Sequence, residues 1–230
     1  MKMVKIENMP KLPYAVEEAI NRLRINIDFL GADIRKIMVI STMPDEGKSF
    51  VTMQLWRQLA ETGVRTVLID VDMRKSVMAG KYEITGDGDE REDLKGASHY
   101  LSGDLPLKDV VYHTQFDKGD ILPNTVNIIN PSRLLESSRF AVLLEGMAER
   151  YRYVLLDSPP LNMVSDGERI GHLCDGAILV VRSGTTPKSL IKNSIRQLER
   201  AGCPLLGIVL NRVEGEKGGY YNKRYGGYYG

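Results

Sequence analysis

Three short stretches carry residue types that could handle a phosphorylated ligand. The first runs Thr42-Met43-Pro44-Asp45-Glu46-Gly47-Lys48-Ser49, between an apolar run at Ile37–Ile40 and a segment with helical patterning. A turn that leads from a strand into a helix offers free backbone N–H groups, and the positive end of the helix dipole, to an anion. Lys48 can then reach the outer phosphates, and the Ser49 hydroxyl can ligate magnesium. Pro44, Asp45, Glu46, Gly47, Lys48, Ser49 and Phe50 are therefore the candidate nucleotide-binding residues. The run departs from G-x-x-x-x-G-K-[ST] at its first glycine, where Thr42 stands, and Asp45 occupies the loop centre. Aspartate tolerates left-handed backbone angles, and Asp45 is expected to point to solvent, away from phosphate.

The second stretch is Arg65-Thr66-Val67-Leu68-Ile69-Asp70-Val71-Asp72-Met73-Arg74, an apolar strand whose carboxyl end delivers Asp70 and Asp72, with Arg74 just beyond. In open α/β sheets ligands sit outside the carboxyl ends of the strands, so two acids there suit magnesium or proton transfer. They could instead cap the following turn, but burying two carboxylates beside a core strand is costly without a cation. The third stretch, within Tyr151–Leu161, is another apolar strand ending in Asp157, roughly 110 residues beyond the loop, as a magnesium-site acid of the Walker B kind requires.

These groups need a scaffold. Val16, Ile20, Leu23, Ile27 and Leu30 recur at spacings of three and four, which predicts an amphipathic helix over 14–30. Its charged surface carries Glu18, Asn21 and Arg24, a pattern equally suited to a solvated face. Further helices are expected over 50–62, 136–150 and 187–201, with short ones near 96–101 and 108–112. Strands are expected at 126–129, 175–181 and 205–210. Strands alternating with helices imply an α/β fold, one doubly wound, mostly parallel sheet covered on both faces.

At 230 residues the chain can bury one sizeable core. A net charge of +1 gives no reason to expect bulk nucleic-acid binding. No apolar run approaches the roughly 20 residues of a membrane span, and no signal-peptide core follows the N-terminus, so a cytoplasmic chain is expected. Cys174 and Cys203 lack CxxC spacing and nearby histidines, which predicts buried reduced thiols. From Val213 onward the composition turns to Gly, Asn, Lys and Arg around Tyr220, Tyr221, Tyr225, Tyr228 and Tyr229. Such a segment cannot form a packed core and reads as a flexible tail over 213–230, separate from a catalytic domain over 1–212. A base-stacking role for the tyrosines in single-stranded nucleic acid is disfavoured by the few basic residues around them.

Together the GKS loop, the IDVDMR and LLDSPP strand ends and the tyrosine cluster resemble the bacterial tyrosine kinases of capsular and exopolysaccharide biosynthesis. The resemblance runs from the Glu-Ala-x-x-x-Leu-Arg-x-Asn-Ile pattern at Glu18–Ile27 to the tail. Its most specific element is D-x-D-x-R at Asp70, Asp72 and Arg74, with Gly96-Ala97-Ser98-x-x-Leu101-x-Gly103 and Asn130-Pro131-Ser132 in support. It implies a P-loop fold that uses ATP and Mg2+, with Ser49, Asp72 and Asp157 at the metal. Asp70, Asp72, Lys48 and Arg74 would be catalytic, Asp70 being the preferred base. It further implies phosphorylation of the C-terminal tyrosines between neighbouring subunits of a ring, through an interface that includes Glu18 and Arg24. The added charge of about −1.5 to −2 per phosphotyrosine would loosen that ring. The implied partners are a transmembrane activator of the polysaccharide co-polymerase type, acting through its cytoplasmic tail at the inner face of the membrane, and sugar-nucleotide-modifying enzymes as substrates.

Asn21 stands in the middle of the family's Glu-x-x-Arg-x-x-Arg pattern, and Arg133 follows Pro-Ser where the family often has Glu. Two rivals share the fold class. Partitioning or positioning ATPases carry an extra lysine near the start of the loop, where this chain has Met43, and lack a tyrosine-rich end. A nucleotide-binding scaffold without catalysis would use the tail only as a phosphorylation target.

Overall fold

The computed structural model describes residues 2–86 and 94–213. The five tail tyrosines, Tyr220, Tyr221, Tyr225, Tyr228 and Tyr229, lie outside the described residues. The chain opens with a strand β1 (Lys2–Ile6) and a helix α1 (Tyr14–Asp28). The strand of the loop, β2 (Lys36–Ser41), then runs into α2 (Lys48–Glu61), and the first acidic strand is β3 (Thr66–Asp70). A short helix α3 (Met78–Lys81), β4 (Ile84–Gly86), α4 (Ala97–Ser102), β5 (Tyr112–His113) and β6 (Gly119–Leu122) follow. After them come α5 (Ser132–Leu135), α6 (Ser138–Arg150), the second acidic strand β7 (Tyr153–Asp157), α7 (Asp166–His172), β8 (Gly176–Arg182), α8 (Lys188–Arg200) and β9 (Leu205–Asn211).

These strands form one sheet in the order β4-β1-β5-β6-β3-β7-β2-β8-β9. The six from β6 to β9 are parallel, and among the described residues antiparallel pairs occur only between β1 and β4 and between β5 and β6. A parallel strand buried on both faces is apolar throughout, and alternate residues divide between two cores. Ile37, Leu68, Leu155 and Ile178 pack with Met53, Trp56 and Leu59 of α2. Their neighbours Met38, Val67, Ile69, Leu156 and Leu179 face Phe140 and Leu143 of α6, Ile170 of α7 and Leu198 of α8. The single doubly wound domain expected from the alternation of elements is present. Cys174 and Cys203 are buried and free, with burial pushing both thiols above their ordinary value.

Two local expectations are corrected. Residues 126–129 do not form a strand: Val126 and Ile129 are exposed, and Ile128 N–H donates to Met73 O at 2.6 Å from an irregular segment. The strand lies earlier, at β6, where Gly119 and Asp120 break the apolar pattern. Gly119 is required there because a Cβ would lie 2.7 Å from the Trp56 ring and 2.9 Å from the Ala60 methyl. The helix expected over 136–150 is present as α6, beginning at Ser138 after the separate short helix α5, whereas the one near 108–112 is a 3-10 turn at Leu107–Asp109. β1, which alternates exposed and buried residues around Val4 and Ile6, carries no motif that announced it. Gly119→Val is expected to destabilise the fold by about 1–3 kcal/mol through overpacking against Trp56. Equilibrium urea unfolding measures this, and an unchanged midpoint would contradict it.

Candidate active site

The phosphate loop owes its shape to groups distant in sequence. Gly47 takes a left-handed φ of 94° immediately before α2, and a side chain there would collide with the Asn211 amide from the end of β9. That amide donates to Glu46 O at 2.8 Å. The Glu46 carboxylate turns inward and is buried, accepting Met43 N–H at 2.8 Å, Arg182 N–H at 3.5 Å and the Thr186 hydroxyl. Glu46 thus braces the loop from within, while Pro44 and Asp45 are exposed and Asp45 adopts φ 60°, as the sequence suggested. Thr42, at the missing glycine, is fully buried and accepts from the Ser194 hydroxyl at 3.3 Å. The amides of Lys48, Ser49 and Phe50 precede the first intrahelical bond, Val51 N–H to Gly47 O, so the helix end faces the loop's concavity. The Phe50 side chain packs beside Val39, Val51 and Val180.

Lys48 is the centre of the charge cluster. Its Nζ lies 3.1 Å from Asp72 Oδ2, 3.5 Å from Asp157 Oδ2 and 3.3 Å from Ser49 Oγ. Strand pairing sets the acids: Asp70 and Asp157 are direct partners in the parallel β3–β7 ladder. Asp70 Oδ1 accepts Asp72 N–H at 3.1 Å, and its Oδ2 accepts the Ser76 hydroxyl at 2.5 Å. The Thr52 hydroxyl lies 3.3 Å from Asp157 Oδ1. Thr52, Asn211 and the inward Glu46 carboxylate escaped sequence reasoning because each acts across the fold, and Ser76, six residues from Asp70, because it lies in an irregular loop. Arg74, placed by sequence in the catalytic group, turns away: its Nε donates to Asp166 Oδ2 at 2.5 Å.

The electrostatics follow from burial. Burial pulls the Lys48 ammonium toward neutrality, but Asp157, Asp72 and Asp70 outweigh it and hold its pKa above the ordinary lysine value. Asp70 is pushed up to about 8, first by burial and then by the neighbouring Asp157 charge, against the Ser76 hydrogen bond and Lys48. Burial raises Asp157 as well, against Lys48 and the Ser49 hydrogen bond. Among the described residues no three His, Cys, Asp or Glu side chains form a ready-made metal cage. Magnesium beside a nucleotide needs no such cage, since it keeps water and phosphate ligands and takes one or two carboxylates. The Ser49, Asp72 and Asp157 oxygens, each within 3.5 Å of the Lys48 ammonium, fit that requirement.

The arrangement is a phosphate cradle with a buried lysine and acids at the neighbouring strand ends, and comparison with known proteins says which chemistry it serves. Residues 37–224 match the family described as CobQ/CobB/MinD/ParA nucleotide binding domain. The tyrosine-protein kinase CpsD of Streptococcus agalactiae serotype III is 34% identical over 197 residues, which span 86% of this chain and 82% of that one. The chain belongs to the bacterial tyrosine-protein kinases. This kinase is similar in structure to the VpsO kinase domain, with a TM-score of 0.78, 30% identity and 87% and 95% of the two chains covered. It is also similar to the chimerical protein CapA2B2, with a TM-score of 0.80, 27% identity and 94% and 95% covered. The enzyme is a protein-tyrosine kinase on a P-loop fold. Among the described residues no helix of the kinase is long and apolar enough to cross a membrane.

The raised acids make the kinase sensitive to pH. Between the ordinary aspartate value of 3.8 and about 8, folded Asp70 retains a proton that the unfolded chain has lost, so raising the pH through that window costs stability. The ligand-free protein is therefore expected to lose thermal stability from pH 5 to pH 8. Asp70→Asn should flatten that slope and raise the melting temperature at pH 8. A calorimetric pH series in which the variant keeps the wild-type slope would refute this assignment.

Proposed function

We propose that this kinase transfers the γ-phosphoryl group of ATP to its own C-terminal tyrosines, Tyr220, Tyr221, Tyr225, Tyr228 and Tyr229, and so regulates capsular or exopolysaccharide synthesis. The observation that carries the reading is the Lys48–Asp72–Asp157 cluster at the loop, with Asp70 beside it on the adjoining strand. Lys48 and the amides that open α2 hold the phosphates. Ser49, Asp72 and Asp157 would hold magnesium, which would supply neutralisation of the phosphate charge. Asp70 orients the acceptor phenol and takes its proton. Much of the catalysis is then positioning and charge stabilisation.

In this reading residues 1–212 form the catalytic domain and 213–230 supply the acceptors. The likeness to a chimerical protein supports a kinase that works joined to a second polypeptide. We assign that role to the cytoplasmic tail of a transmembrane activator of the polysaccharide co-polymerase type, which would bring the kinase to the inner face of the membrane. Sugar-nucleotide-modifying enzymes are the proposed outside substrates. Self-association into a ring would use Glu18 and Arg24 on α1. Here Asn21 has a definite effect: its Oδ1 accepts from Arg24 Nη2 at 3.0 Å and Nε at 3.3 Å, while Asp28 takes Nη1 at 3.2 Å. Arg24 must exchange some of these local partners to bridge to another subunit. Arg24→Glu is expected to shift sedimentation toward monomer, and an unchanged profile would remove Arg24 from the interface.

Labelled ATP with magnesium, with and without the activator-tail peptide, tests the central reading on three proteins: wild type, Lys48→Met and a chain ending at Val213. Wild type should gain label on tyrosine. Lys48→Met should lose about 100-fold in rate, the scale of removing one transition-state donor, and the shortened chain should lose the label altogether. Label that persists without the tail would overturn the assignment of the acceptors.

A further inference from the structure

Two motifs play no part in the site described above, the arginine of D-x-D-x-R and the Asn130-Pro131-Ser132 run. The fold brings both to one carboxylate. Asp166, in the first turn of α7, is 1% exposed. Its Oδ2 accepts Arg74 Nε at 2.5 Å, while its Oδ1 accepts Arg74 Nη2 at 3.3 Å and the Ser132 hydroxyl at 3.1 Å. The remaining guanidinium nitrogen, Nη1, donates to Ile129 O at 3.1 Å. Two more bonds join the same segments, Ile128 N–H to Met73 O at 2.6 Å and Ser76 N–H to Asn127 Oδ1 at 3.0 Å.

The loop held in this way is the one that carries Asp72 to Lys48. Beyond the end of β3 it has no regular structure until α3, and its own bonds run back to the acids: Lys75 N–H to Asp72 Oδ1 at 3.2 Å and the Ser76 hydroxyl to Asp70. Asp166 follows Asp157 on the same chain by nine residues, so its pairing with Arg74 ties the segment after β7 to the segment after β3. Asp157, from which the first departs, and Asp72, within the second, both contact Lys48. A two-point arginine–carboxylate pair fixes direction as well as distance, which a lysine in place of Arg74 could not do. Because Asp166 is buried, removing Arg74 also leaves a buried charge without its partner, and the loop must move to hydrate it.

We propose that Asp166 is a positioning residue of the kinase site: through Arg74, with Ser132 in support, it fixes the loop that presents Asp72 to Lys48 and to magnesium. The inference rests on the reading of Asp72 as a metal-site acid. Outer groups of this kind typically change metal affinity by 10–100-fold when removed.

The test is the affinity of the full-length protein for fluorescent ADP, titrated with and without Mg2+, alongside thermal unfolding. The proteins are wild type, Asp166→Ala, Asp166→Asn, Arg74→Ala, Arg74→Lys, the Arg74→Ala/Asp166→Ala double variant and Asp72→Asn. The gain in ADP affinity conferred by Mg2+ should fall about tenfold in Asp166→Ala and Arg74→Ala and no further in the double variant, because the pair acts as a unit. Arg74→Lys and Asp166→Asn, which keep size and part of the bonding, should retain an intermediate gain and remain folded where an alanine variant does not. Affinity without Mg2+ should stay within about twofold of wild type, whereas a purely structural role would lower melting temperature and leave the Mg2+ gain intact. An unchanged gain in folded Asp166 variants, or losses that multiply in the double variant, overturns the proposal while Asp72→Asn loses its gain. If Asp72→Asn also keeps its gain, the metal role of Asp72 falls with it.

Discussion

Three carboxylates, Asp70, Asp72 and Asp157, share one buried ammonium, Lys48, at the carboxyl edge of the sheet. The imbalance is built into the ladder, because parallel pairing of β3 with β7 sets Asp70 opposite Asp157 with no freedom to separate. Buried like charges at such range cannot all ionise, so the site retains a proton or recruits a cation. The same shortage of positive charge is what makes the site receptive to magnesium beside a polyanion. Loop, strand ends and lysine are thus parts of one electrostatic arrangement, and the two cores serve to hold the strands in the register that creates it.

Much of this could be read from sequence, since the chemistry lies in contiguous motifs. The Gly47-Lys48-Ser49 turn and the apolar strands ending at Asp70 and Asp157 each declare themselves over a few residues, and alternation of strands and helices fixes the parallel sheet. What stayed hidden depends on side chains meeting across long separations. Glu46 sits among phosphate-binding residues in the sequence, yet its carboxylate is spent on Thr186 and the backbone of Arg182. Arg74 accompanies two catalytic acids in its motif but reaches across to a carboxylate on another helix. β6 was misplaced because Gly119 and Asp120 answer to Trp56, whose indole donates to Asp120 O at 3.0 Å, and not to strand patterning.

The enzyme therefore divides its labour by position. The innermost strands carry the charge, while the segments that follow them are held to one another by polar side chains, by Glu46, Asn211 and Thr186 on one flank and by Arg74, Asp166 and Ser132 on the other. Segments pinned at a few polar points can shift when a ligand or a partner chain alters those points, which a sheet packed on both faces cannot do. Activation by an accessory polypeptide would act on these flanks and leave the sheet as it is.

The most direct test of the shared-charge account is the proton count of ligand binding at pH 7, measured by titration calorimetry of ADP with magnesium in buffers of different ionisation enthalpy. The account predicts net release of protons when ADP and Mg2+ bind together, more than with ADP alone, and loss of that difference in Asp70→Asn. A proton count that is the same with and without Mg2+, or one that Asp70→Asn leaves unaltered, would contradict it.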